Sequence, residues 1–173
     1  MNTLQATRFL ARCTLWTGAL FAALGLHAGP AEDVQQADAL LRTGDVPDAM
    51  SLLRRAADQD HPLAMARLGD LLRAAEFESE AVVLYRKAAE RGEPAGEVGL
   101  GRAYADGAGV AQDPAQALEL YRKAEGRNYG PAFDQLARAY RTGTLGLAKD
   151  PELARAYQRK ADAAPKNAAA EVR

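Results

Sequence analysis

Catalysis by side chains needs a nucleophile beside a base, or several ligands able to hold a metal, and this 173-residue chain is poorly supplied with both. It contains two histidines, one cysteine and two serines. A hydrolase of the serine–histidine–acid kind would have to use Ser51 or Ser79 with His61 and an orienting carboxylate, yet neither serine has the flanking glycines of a nucleophile elbow. His61 stands directly before Pro62, where a turn or a helix cap is expected. A metal site would need several His, Cys or clustered acids, and His61 among scattered carboxylates does not supply them. Asp113 and Asp150 each precede a proline and read as N-caps, positions where a short carboxylate accepts from the orphan amides of a first helical turn. No catalytic, metal-binding or cofactor-binding residue is assigned, and the expectation is a protein that is not an enzyme. The chemistry left is recognition by polar side chains, and that depends on what holds them in place.

The frame that holds them is visible as internal repetition. Four segments align on a recurring alanine: Ala49-x-x-Leu52-Leu53-x-Arg55-Ala56, Ala81-x-x-Leu84-Tyr85-x-Lys87-Ala88, Ala117-x-x-Leu120-Tyr121-x-Lys123-Ala124 and Ala154-x-x-Tyr157-Gln158-x-Lys160-Ala161, at spacings of 32, 36 and 37 residues. A second apolar helical pattern precedes each, in Leu68–Leu72, Leu100–Tyr104 and Leu136–Tyr140, with an imperfect first copy around Leu40 and Leu41. Each unit is therefore two helices. Pro62, Pro94, Pro114, Pro131 and Pro151 mark helix starts, and Gly92 and Gly130 fall in the turns between units. The two alanines of each motif lie seven residues apart and share a helix face, where the missing side chain lets a neighbouring helix come close.

Alignment of the units puts Asp70, Arg102 and Arg138 at one equivalent position and Arg67 and Gln135 at another, on the first helix of each pair. A stacked array exposes an extended inner side lined by those first helices. Arg67, Asp70, Arg102, Gln135 and Arg138 are accordingly the candidates for contact with a partner. Tyr104 and Tyr140 recur at equivalent places, as core positions do. Tyr129 and Phe133 break that regularity and are expected to be partly exposed, where their rings could stack on a sugar. Arg54-Arg55, Arg86-Lys87, Arg122-Lys123 and Arg159-Lys160 recur near the end of each second helix, where the helix dipole favours positive charge, and do not form a phosphate groove. A balance of 22 Lys+Arg against 23 Asp+Glu also weighs against nucleic acid as a partner.

Taken together, Leu100-Gly101-Arg102-Ala103-Tyr104-Ala105-Asp106-Gly107-Ala108-Gly109-Val110-Ala111-Gln112-Asp113-Pro114 and the following Ala117-x-x-Leu120-Tyr121-Arg122-Lys123-Ala124 resemble a Sel1-like repeat, a subclass of the tetratricopeptide-type helical hairpin. The fourth unit keeps Gly143, Asp150, Lys160 and Ala161, with one more residue in its loop and Gln158 where a tyrosine is expected. Units one and two lack the Gly-x-Gly-Val loop and are closer to plain tetratricopeptide spacing. The resemblance covers about residues 35 to 163. It implies an all-α, right-handed α-solenoid of about four antiparallel helix pairs that acts as a protein-interaction scaffold, members of the family being generally adaptors in larger complexes. Some exported relatives are cysteine-rich, and a few of those are linked to penicillin binding or hydrolysis; with no cysteine beyond residue 13, a hydrolase of that type is the remote alternative. The chain is more similar to cysteine-free envelope members, some of which help to assemble polysaccharide-export machinery. A carbohydrate- or polysaccharide-export-associated binding module is the nearer alternative.

Residues 1–28 hold no Asp or Glu, carry Arg8 and Arg12, run apolar from Cys13 to Leu26 and end in His27-Ala28, the pattern of a secretory signal peptide. A spanning helix needs about 20 apolar residues, more than this run offers, so cleavage after Ala28 is expected and an uncleaved inner-membrane anchor is the minor alternative. The expected organisation is a signal peptide at 1–28, a short linker at 29–34, the repeat domain at 35–163 and a disordered tail at 164–173. The expected location is periplasmic or secreted, with a protein of the cell envelope as partner and no stable membrane span after cleavage.

Overall fold

Proline and short hydrogen-bond acceptors decide where the helices of this chain begin. The structure is a computed structural model that describes residues 29–164; the expected signal peptide at 1–28 and the end of the tail, 165–173, lie outside the described residues. The described residues form eight helices and no strand: α1 (Pro30–Thr43), α2 (Val46–Asp58), α3 (Pro62–Ala74), α4 (Glu78–Glu90), α5 (Pro94–Asp106), α6 (Pro114–Glu125), α7 (Gly130–Thr142) and α8 (Pro151–Ala163). Every helix except α4 has a proline in its first two positions, where the missing N–H costs nothing. The aspartates cap as expected. Asp113 Oδ1 accepts from the N–H groups of Ala115 and Gln116 at 3.1 and 3.0 Å, and Asp150 Oδ1 from those of Glu152 and Leu153 at 3.0 and 2.9 Å. His61 is the cap of α3, its Nδ1 accepting from Ala64 N–H at 3.3 Å. The stretch 29–34, read from sequence as a linker, is helical from Pro30, because Glu32 reaches back to accept from the Gly29 N–H at 3.0 Å and holds the first turn.

The helices pair α1 with α2, α3 with α4, α5 with α6 and α7 with α8, and each second helix also packs against the first helix of the next unit. First helices touch one another directly (α1 with α3, α3 with α5, α5 with α7), whereas successive second helices make no comparable contact. The first helices therefore crowd together on the inner side of an all-α solenoid of four helix pairs. The alanines at 49, 56, 81, 88, 117, 124, 154 and 161 are all buried at the helix contacts, where they permit this approach.

Tyr85 and Tyr121 are the largest fully buried side chains. The Tyr85 ring on α4 lies between Gly69 of α3 and Gly99 of α5: a Cβ at Gly69 would come within 2.8 Å of Tyr85 Cε1, and one at Gly99 would overlap the ring. Gly101 leaves the same room for Tyr121, at 2.6 Å. These mid-helix glycines cost roughly 1 kcal/mol each in helix propensity and are required by the tyrosines they admit. Tyr129 and Phe133 depart from expectation. They are 8 % and 4 % exposed, because they close the core beneath the start of α7, with Phe133 6.3 Å from Tyr157 between ring centroids. Ala164, placed in the tail by sequence, is buried against the same cluster. Among the described residues no helix is long and apolar enough to cross a membrane.

Candidate functional site on the inner face

The recurring polar positions of α1, α3, α5 and α7 meet in successive rungs along the inner side. In the first, Arg67 Nε of α3 is 3.6 Å from Asp38 Oδ1 of α1. In the second, Asp70 of α3 accepts at a single oxygen, Oδ1, from the Tyr85 hydroxyl at 2.8 Å and from Arg102 Nη2 of α5 at 2.9 Å. In the third, Arg102 faces Arg138 of α7 across a recess of about 260 Å³, also lined by Tyr121, Gln135, Thr142 and Asp106. Arg102 Nε is buried and has no hydrogen-bond partner among the described residues. A second recess of about 350 Å³ opens on the other side of Arg102, between Arg73, Glu78 and Asp106, so that Arg102 and Asp106 belong to both.

Of the five residues singled out by register, Arg102, Gln135 and Arg138 line one recess, Asp70 is joined to Arg102 by an ion pair, and Arg67 stands one rung away against Asp38. Tyr121 also lines this recess and is not among the five. The signal that marks it is its recurrence with Tyr85: the two tyrosines hold the same place in consecutive units, one beside Asp70 and the other beside Arg102. Asp106 and Thr142, near the C-terminal ends of α5 and α7, carry no comparable signal.

Burial pushes the Tyr121 hydroxyl up to about 12; Arg102 and Arg138 act to lower it and Asp106 to raise it. Burial, and then the Asp70 carboxylate, likewise holds the Tyr85 phenol far above its ordinary value. Both are proton donors at neutral pH. The recess thus offers two guanidiniums, a phenol, an amide and the two hydroxyls of Thr142 and Thr144 against one acid, a set suited to holding an anionic group by charge-assisted hydrogen bonds. Two other tyrosines are engaged elsewhere: Tyr140 stacks on Tyr157 at 5.5 Å, and Arg122 donates to both of their hydroxyls, at 2.8 and 2.5 Å.

A family model of the Sel1 repeat matches residues 40–61, 78–93, 94–127 and 134–161. Three solved bacterial structures are similar. One is a protective antigen present in uropathogenic Escherichia coli strains and displaying an SLR fold, at TM-score 0.60 and 27 % identity over 79 % of this chain. The match takes in 31 % of the antigen, so this chain spans about a third of its length. A Sel1 repeat protein from Oxalobacter formigenes matches at TM-score 0.54 and 32 % identity, covering 65 % of this chain and 88 % of its own. A sel1 repeat protein from Klebsiella pneumoniae subsp. pneumoniae matches at TM-score 0.69 and 25 % identity, covering 78 % of this chain and 67 % of its own. No curated protein matches at a significant level.

Proposed function

This chain belongs to the Sel1 repeat family, whose members generally mediate protein–protein interaction on a fold that is typically non-enzymatic, and we propose that it is an exported adaptor holding a peptide segment of a cell-envelope protein on its inner face. The observation that carries this reading is the pair of open recesses on either side of Arg102, lined by polar side chains that the repeat places in register. An extended chain laid across successive first helices can use such recesses one after another, as solenoids bind peptides. The signal-like character of residues 1–28 supports an envelope location.

Affinity capture from envelope fractions, identified by mass spectrometry, tests the reading with Arg102→Glu/Arg138→Glu as the comparison. The double variant is expected to keep its helicity and to lose the proteins that the unmodified chain captures. An unchanged set of captured proteins would remove the inner face from the account.

A further inference from the structure

The inner face contains its own template for what the open recess is missing. In the second unit a carboxylate lies between a phenol and a guanidinium, Asp70 Oδ1 accepting from Tyr85 at 2.8 Å and from Arg102 at 2.9 Å. One unit further, Tyr121 follows Tyr85 by 36 residues and Arg138 follows Arg102 by 36, while the place of Asp70 is taken by Arg102 itself. Both donors are repeated and the acceptor is not. The recess lies where that acceptor would be, with Arg102 Nε buried without a hydrogen-bond partner and Arg138 exposed without an ion-pair partner among the described residues. Asp106 is the one acid in its lining, against Arg138, which has no ion-pair partner among the described residues, and Arg102, which is paired with Asp70.

We propose that this recess takes the side-chain carboxylate of an Asp or Glu in an extended segment of a partner protein, which completes in the third unit the arrangement that Tyr85, Asp70 and Arg102 make in the second. This rests on the inner face being the partner-binding surface and adds the chemistry of the partner. The size of the recess suits one side chain, not a folded surface, and its continuation past Arg102 into the second recess gives the flanking residues a path along α5. Guanidinium and phenol donors together bind a carboxylate more strongly than neutral hydrogen bonds would, and they fix its position along the solenoid.

The probe is a displayed library of random linear peptides selected against the purified chain, with enriched peptides then measured one by one by fluorescence anisotropy. Arg138→Gln and Arg138→Glu are the working variants, since Arg102 also holds Asp70, and Arg86→Glu on the outer helix α4 is the charge control. The enriched peptides should carry an Asp or Glu at one fixed position, and Arg138→Gln should weaken them about tenfold, the scale of one lost charged hydrogen bond. Arg138→Glu should weaken them further and Arg86→Glu should leave them unchanged. Replacing the fixed acid by its amide should give the same loss, with no additional loss in Arg138→Gln. Peptides that bind without a fixed acid and ignore Arg138, yet are blocked by a folded Gln135→Trp variant, would overturn the carboxylate inference and leave the inner-face reading standing. Peptides that ignore both positions, or a selection that enriches nothing, would overturn the two together.

Discussion

Tyr85 and Tyr121 occupy the same place in consecutive units and do different things there. Tyr85 donates to Asp70, so its hydroxyl is part of the rung that joins α3 to α5. Tyr121 lies between Arg102 and Arg138, and neither can accept its proton. Tyr85→Phe should therefore cost about 1 kcal/mol, the usual worth of a partly buried hydrogen bond, and Tyr121→Phe should cost close to nothing. Urea midpoints measured side by side check this, and equal losses would contradict it. Register in the sequence is enough to line up Asp70, Arg102 and Arg138. It also shows why the rungs differ, since Asp70 can accept from Arg102 whereas two guanidiniums cannot bond to each other; what it does not give is the opening between Arg102 and Arg138.

Helix starts were readable because each is fixed within a few residues of chain: a proline removes an unneeded N–H and an aspartate or histidine accepts from the next amides. The burial of Tyr129 and Phe133 was not, since it depends on Tyr157 arriving from a helix more than 20 residues away. Loops fall between these extremes. Gly109, in the loop after α5, has φ +70°, and a Cβ there would lie 2.5 Å from the Glu78 carbonyl carbon at the start of α4. Gly146, in the longer loop after α7, has φ +75° and open space around it. Gly109→Ala should thus destabilise by about 2–4 kcal/mol, strain and collision together, and Gly146→Ala by only the strain of about 1 kcal/mol. Thermal melts that shift equally for the two would show that the loop of the third unit does not bear on α4.

At the scale of the whole array, stability is a sum of contacts between neighbouring units, and one of these carries a buried charge. Glu97, in the first turn of α5, is almost wholly buried, with Arg127 from the turn before α7 at 3.5 Å, and Arg127 also donates to the Gly92 carbonyl. Burial raises the Glu97 carboxyl above the ordinary glutamate value, Arg127 and Lys123 oppose the shift, and Glu93 adds to it; Glu93 is itself raised by burial. A carboxyl raised on folding adds stability below the pKa of the unfolded chain, and that contribution is lost as the pH climbs through the folded value. Glu97→Gln should consequently gain on the unmodified chain in urea midpoint as the pH is raised from the ordinary glutamate range toward neutrality. A difference independent of pH would place the titration elsewhere.

The proposed working surface of the solenoid is its inner face. A photo-crosslinking residue placed at Gln135, between Arg102 and Arg138, and compared with one at Arg86 on the outer helix α4, examines that claim in living cells. Irradiation should give a discrete adduct with an envelope protein from position 135, lost when Arg138→Glu is added, and none from position 86. Adducts from position 86 with none from position 135 would contradict it.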